Sequence, residues 1–355
     1  GGGGGGAMVR LAVACDDRTV SIFVLPPALG ARPDHQRTFR CAVHSLAASS
    51  GRLYVGGADA CVHVCSTNAG YVWGTYRAGH TMPLLSLHLV HLTAASGDSH
   101  LVSGAEDTMV RVSPLASVIH ATAPPSQPGS AISAASEGAR SRQPSAAPPG
   151  RRERAVAAAA AGTLSARVVH VLEGHRAPVR ALEACYGPSQ VLIASADDSG
   201  VVRLWHVGSW ACTGSLFVAS GVCALCALPP QLTGGRRCVA AMTDESELLF
   251  VREAEHGQWV AMAPARPLTG CSTASGSSSA TNSIGHVAGR LLICAADAHD
   301  ARVCEVSGTP VDDGAGAPAL VCGHRTPIQC LATSGALFAT GSADGVVKLW
   351  QPLDD

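Results

Sequence analysis

Two stretches of this chain, residues 174–205 and 323–350, repeat one pattern, and that repetition limits the fold more than any other feature of the sequence. In the later copy, Gly323-His324 is followed by an apolar run through Ile328, Cys330 and Leu331 that begins an inner strand. Residues 337–342 make a second strand, Ala343-Asp344-Gly345 a tight turn, and residues 346–350 a third strand ending in Trp350. Alternating apolar positions, branched residues and a turn containing Asp and Gly specify strands joined by a hairpin. A unit of this size cannot bury its apolar face alone, so several copies must stack.

Weaker copies fill much of the remaining chain. Residues 11–25 match a second and third strand, with Asp17 in the turn and Phe23 at the Trp position, and no inner strand precedes them. Residues 39–76 add a unit with Asp59 in the turn and Cys65 at the Trp position. The next unit opens on Gly79-His80, carries Ser103 and Asp107, and has Ser113 in place of Trp. The copy at 174–205 keeps His175, Ser195 and Trp205, but its turn puts Ser199 at the Asp spacing. Either Asp198 serves through a longer turn, or this unit lacks its acid. Residues 215–251 form a unit without Gly-His or Trp, with Phe250 assigned to the Trp position. Residues 290–306 read either as two further strands or as a hairpin within an insertion.

Residues 114–167 break the pattern. They are dense in Ala, Pro, Ser and Gly and poor in the branched and aromatic residues that offset ordering entropy, so a disordered loop is expected. Residues 168–172 stand directly before Gly174-His175, where the outer strand of the His80 unit belongs. The insertion is therefore expected between that unit's third and outer strands.

The Gly-His, turn Asp and Trp pattern resembles the WD repeat, the unit of a β-propeller blade of roughly 40–45 residues. The resemblance implies an all-β, seven-bladed WD-repeat β-propeller, incomplete at its N-terminal closure, with a long disordered insertion. Its parts would be a poly-Gly disordered start at 1–7, blades 1–3 at 8–115, the insertion at 116–167 and blades 4–7 at 168–355. It also implies that His80, Ser103 and Asp107, then His175, Ser195 and Trp205, then His324, Thr340, Asp344 and Trp350 are structural networks inside blades, with no catalytic part. The order of units is similar to the WD-repeat subunit of the Rix-type complex, whose plant relative is the root initiation defective WD protein. The carriers of that likeness are SIF closing the first unit, VHVCSTNAG in the second, VRVSPLASVI before the insertion and VVRLW closing the fourth. That complex matures the large ribosomal subunit. The likeness implies a nuclear scaffold in rRNA processing whose partners are other protein subunits, pre-60S particles and a Midasin-type ATPase. A generic adaptor, such as a ubiquitin-ligase substrate receptor or a trafficking scaffold, is the alternative. In that family another blade follows the strong last unit. The six opening Gly residues and the missing inner strand lead us to expect a chain cut short.

Other chemistry finds little support. The net charge of −1 offers no global attraction for nucleic acid or an anionic membrane. Fourteen Cys sit mostly in apolar strand runs and read as reduced, buried thiols of an intracellular protein. Cys223 and Cys226 have redox or zinc spacing but no second close pair, so no metal is assigned. His63, His88, His91 and His120 show no helical pairing with carboxylates. Asp16-Asp17 and Asp197-Asp198 read as solvated turns. No P-loop, nucleophile elbow or dinucleotide fingerprint occurs, so no cofactor and no enzymatic activity are expected. Residues 209–232 carry no charge and are long enough to span a membrane, but they break at Ser220-Gly221 into two strand-sized pieces, read as consecutive buried strands.

Overall fold

The structure is a computed structural model. It describes residues 9–25, 32–49, 51–91, 99–122, 170–187, 190–218, 220–254, 257–262, 283–287, 290–294, 301–305, 319–321, 323–335 and 337–351. The opening Gly run, residues 123–167 of the insertion and residues 168–169 of the expected outer strand lie outside the described residues.

Every sheet is an antiparallel meander built from strands consecutive in the chain. The first has three strands, β1 (Arg10–Ala14), β2 (Thr19–Val24) and β3 (His35–Thr38). The second joins β4 (Val43–Ser49), β5 (Arg52–Gly57), β6 (Val62–Ser66) and β7 (Val72–Tyr76). The third joins β8 (Leu84–His91), β9 (Ser99–Ala105), β10 (Val110–Pro114) and β11 (His170–Leu172). The fourth joins β12 (Val179–Tyr186), β13 (Val191–Asp197), β14 (Val201–His206) and β15 (Cys212–Phe217). The fifth joins β16 (Val222–Leu228), β17 (Cys238–Thr243), β18 (Leu248–Glu253) and β19 (Trp259–Met262). The sixth joins β20 (Ser283–Val287), β21 (Arg290–Cys294), β22 (Ala301–Glu305) and β23 (Ala319–Val321). The last has three strands, β24 (Ile328–Ser334), β25 (Leu337–Ser342) and β26 (Val347–Trp350). This is an all-β propeller arrangement. Five sheets have four strands, while the first lacks an inner strand and the last an outer one among the described residues, so seven full blades are not present.

The inner strands β4, β8, β12, β16, β20 and β24 pack side by side in chain order. A register shift marks the start of most of them, between Val43 and Ser45, Leu84 and Ser86, Val179 and Ala181, Val222 and Ala224, and Ile328 and Cys330. Such a bulge raises the local twist and re-aims the side chains beside it. Here the re-aimed serines tie neighbouring sheets together: Ser45 Oγ accepts from Leu87 N–H at 2.9 Å, and Ser86 Oγ donates to the Val179 carbonyl at 3.3 Å. The apolar core lies between sheets. One cluster joins Tyr54, Val64 and Tyr76 of the second sheet to Leu84, Leu87 and Leu101 of the third. Another joins Val202 and Leu204 to Val222, Leu225 and Val251 across the fourth and fifth. Val, Leu, Ala and Cys supply most of this surface, which is how a chain with only 4% aromatic residues packs its blades.

Several expectations need correction. The insertion does not begin in disorder: residues 115–122 form helix α1 (Leu115–Thr122), which buries Leu115, Val118 and Thr122. Gly74 on β7 makes room for it, because a side chain there would meet the Thr122 backbone. β11 pairs with β10, so the insertion does interrupt the third-to-outer connection. β21 and β22, from the stretch read as two strands or a hairpin, belong to a full four-stranded sheet, whose inner strand β20 comes from residues to which no strand was assigned. The uncharged 209–232 stretch does form consecutive strands, but β15 is largely exposed, so only β16 is a buried one. No helix among the described residues is long and apolar enough to cross a membrane.

Candidate functional site

Backbone hydrogen bonds tie the loop before an inner strand to the turn between second and third strands in five sheets, as from Glu106 N–H to the Pro83 carbonyl, and in the third and fourth sheets a His also reaches the turn acid. The fourth sheet holds the most complete set. Trp205 Nε1–H donates to Ser195 Oγ at 2.8 Å, and Ser195 Oγ lies 2.6 Å from His175 Nε2. His175 Nδ1 lies 2.6 Å from Asp197 Oδ2. One proton order satisfies every atom: Ser195 donates to Nε2 of a neutral imidazole, and Nδ1–H donates to the carboxylate. Asp197 Oδ1 also accepts from Ser199 N–H, Ser199 Oγ and Val201 N–H. Burial pushes the Asp197 carboxyl up, but the hydrogen bonds from Ser199, His175 and Val201 outweigh it and hold the group below its ordinary value. Burial likewise lowers His175, against the opposing pull of Asp197, so the ring stays neutral.

This answers the question left open at the turn. The acid is Asp197, two residues before the position where the other sheets place it. β12 pairs Val179 with Asp197, whereas β8 pairs Leu84 with Ala105 and leaves Asp107 in the turn beyond. Asp197 is fully buried, so reading the Asp197-Asp198 pair as a solvated turn was wrong for Asp197. The glycine before this His also has a physical reason. Gly174 has φ +139°, and a side chain there would run into the Arg203 guanidinium that lies across it.

In the third sheet His80 Nδ1 lies 3.0 Å from both Asp107 oxygens and Nε2 lies 2.9 Å from Ser103 Oγ. Ser113 replaces Trp and meets the Tyr76 hydroxyl of the second sheet at 2.6 Å. In the last sheet His324 Nε2 and Trp350 Nε1 both reach Thr340 Oγ1, at 2.7 and 2.8 Å. Asp344 instead accepts from Ser342 Oγ and Val346 N–H. Trp350 is only half-buried and stacks on Phe338, so it carries less of the core than Trp205. In the fifth sheet Val251, not Phe250, stands opposite Val239 at the Trp position. The reading that His63 has no carboxylate four residues away also fails: Asp59 stands at that spacing, and across the turn its Oδ2 lies 3.0 Å from His63 Nε2.

The inner-strand wall carries one group far from its ordinary protonation. Glu183 on β12 sits between His88 on β8 and the Ala227 backbone on β16, with its carboxyl 3.8 Å from His88. Burial raises Glu183 to about 8 from 4.5 and lowers His88 to about 4 from 6.5. Both are neutral near pH 7. The folded state therefore holds a proton on Glu183 that the unfolded chain releases, and stability falls as pH rises through 8. His88 acts oppositely, losing stability as pH falls from 6.5 towards 4. Between pH 6.5 and 8 the Glu183 effect stands alone among the described residues. Over that window the wild-type unfolding midpoint is expected to fall with pH, while Glu183→Gln gives a flatter profile. Parallel profiles in thermal unfolding would show that Glu183 is already ionised.

The rim shows apolar surface. Phe217 on β15 and Val260 and Met262 on β19 are exposed, Phe217 at 67%. The two strands pack directly, with Gly214 admitting Trp259 against it. Cys15, Cys41, Cys61, Cys65, Cys185, Cys212, Cys223, Cys226, Cys238 and Cys330 are free thiols.

The WD40 family (WD domain, G-beta repeat) matches residues 166–206 and 317–351, the two copies that carry the complete pattern. The chain thus carries WD40 repeats within a β-propeller arrangement. No curated protein is a significant match. Among solved structures, the chain is similar to the computationally designed Ika8 protein at 16% identity and TM-score 0.51, over 88% of this chain and 72% of that one. That likeness concerns the fold alone, and 1420 chains of solved structures match, so the fold does not select a function.

Proposed function

We propose that this protein is a non-enzymatic interaction scaffold, serving as a subunit of a nuclear complex that matures the large ribosomal subunit. A WD40 propeller fits a protein-interaction role, because its sheets hold loops and rim strands rigidly for partners. The observation that carries the scaffold reading is the exposed apolar side chains Phe217, Val260 and Met262 on β15 and β19, two outer strands that pack together. Aromatic and Met side chains in such a patch are the kind that interfaces bury. The ribosomal assignment draws on the order of units, with an insertion between the third and outer strands of the third sheet and the full pattern in the fourth. The partners would be protein subunits, pre-60S particles and a Midasin-type ATPase.

The experiment is affinity capture of the tagged full chain, followed by gradient sedimentation. Co-migration with large-subunit precursors, weakened by Phe217→Ser, is expected. A cytosolic pool bound to ubiquitin-ligase or trafficking subunits, with no precursor association, would replace the ribosomal assignment with the generic adaptor.

A further inference from the structure

The second sheet departs from its neighbours at the face where the blade networks lie. Its register places Val55 where Ser103, Ser195 and Thr340 supply the hydroxyl, because Leu46 pairs with Val55 as Leu87, Leu182 and Leu331 pair with those residues. Phe39 stands four residues before the first inner-strand residue Val43, where the third, fourth and last sheets have their His. His63 occupies the third-strand position held elsewhere by Arg111, Arg203 and Lys348. The turn acid Asp59 therefore meets different chemistry. Its Oδ2 lies 3.0 Å from His63 Nε2, and His63 Nε2 lies 4.0 Å from Cys41 Sγ. All three ligand atoms fall within 4.8 Å of one another.

We propose that Cys41, Asp59 and His63 form a binding site for a divalent transition ion of the zinc class. Thiolate, imidazole and carboxylate together suit that class, and three protein ligands leave a fourth position for water or a partner's side chain. A tetrahedral ion with bonds of about 2.0–2.3 Å needs ligand atoms about 3.3–3.6 Å apart. The 3.0 and 4.0 Å separations bracket that range and the third pair lies within 4.8 Å, so side-chain adjustments of up to about an ångström close the site.

Two independent features prepare it. His63 Nδ1 lies 3.1 Å from Thr75 Oγ1, which can accept Nδ1–H and leave the Nε2 lone pair for the ion. Gly57 lets the thiol and carboxylate converge, since a side chain on it would sit 2.7 Å from Cys41 Sγ and 2.8 Å from Asp59 Oδ1. Phe39 covers one side of the His63 ring at 5.3 Å, while Asp59 is 39% exposed and keeps an entry path. The proton balance is simple. The Cys41 thiol loses one proton to solvent as its sulfur bonds the ion, and the imidazole proton moves from Nε2 to Nδ1. Below the thiol's ordinary range, apparent affinity should rise about tenfold per pH unit.

The test titrates the reduced full chain with Zn²⁺ and, for a spectroscopic signal, Co²⁺. Fourteen cysteines make total uptake ambiguous, so the reading is the difference between variants. One equivalent with a Co²⁺–thiolate charge-transfer band is expected, absent in Cys41→Ser and weakened at least 100-fold in His63→Gln. Thr75→Val, which removes only the His63 partner, should weaken binding about 10- to 100-fold. Cys61→Ser, a nearby thiol that bonds the Asp59 carbonyl, should leave it unchanged. Unfolding profiles in chelator check that each variant folds. If a folded Thr75→Val and a folded Cys41→Ser both bind like the wild type, or if the wild type binds no Zn²⁺ at micromolar concentration, the site does not exist.

Discussion

Trp205→Ala is expected to destabilise the protein by about 3–5 kcal/mol, the range for deleting a large buried aromatic. Trp205 is 3% exposed and packs in the cluster that joins the third and fourth sheets, with Val102, Val112, Val179 and Ile193. The deletion leaves a cavity between two sheets that the surrounding β-ladders hold apart, so little collapse can fill it. It also removes the N–H that Ser195 Oγ accepts, in a place without solvent. Trp350→Ala is expected to cost clearly less, because that ring is half-buried and sits at the edge of a three-stranded sheet. Equilibrium unfolding in urea measures both. Equal losses would mean that the cores of the fourth and last sheets are equally packed, contrary to the burial seen here.

Asp197→Ala should produce a loss of similar size, about 3–5 kcal/mol, because it leaves several buried donors without an acceptor at about 1–3 kcal/mol each. His175 Nδ1–H, Ser199 N–H and Val201 N–H would all lose their acceptor at once. Asp197→Asn keeps the shape and one carbonyl oxygen, so it should cost less. The acid limb of stability carries a separate signature. Because the folded Asp197 carboxyl lies below its ordinary 3.8, it contributes stability that is present above that value and lost as pH falls through the folded one. His175, also lowered, contributes stability present above 6.5 and lost as pH falls. Asp197→Ala should therefore flatten the decline in acid as well as lower the plateau at neutral pH. Thermal unfolding across pH 3–8 (roughly the span in which carboxylates and histidines titrate) checks both. A variant that lost plateau stability but kept the wild-type acid slope would place the titrating groups elsewhere.

Much of this was legible in the residues, for an identifiable reason. Strand positions in the last unit, the hairpin at Asp344, and the His175–Ser195–Trp205 set follow from local pattern, because period-two alternation and turn chemistry act over a few residues. The outer strand β11 was also legible across a long insertion, since the next Gly-His fixes where that strand must end. The sixth sheet was less so: its inner strand β20 reads SIGHV after a Ser-rich stretch, too short and too polar in context to declare itself.

Register decided what pattern could not. The acid of the fourth sheet moved to Asp197 because the β12–β13 pairing brings a strand residue, not a turn residue, under His175. The same kind of shift put Val251 rather than Phe250 opposite Val239. Helix α1 formed because the third and second sheets offer it a surface, Gly74 included, that composition alone could not supply. The cluster of Cys41, Asp59 and His63 joins an inter-sheet loop, a turn and a third strand, and no linear spacing announces such a group. The sequence by itself determined that strands would recur and where their turns would fall, since those depend on neighbouring residues along the chain. Which side chains meet across strands and sheets depends on register and stacking, and only the tertiary structure sets those, because one residue of slip turns every side chain of a strand to its other face.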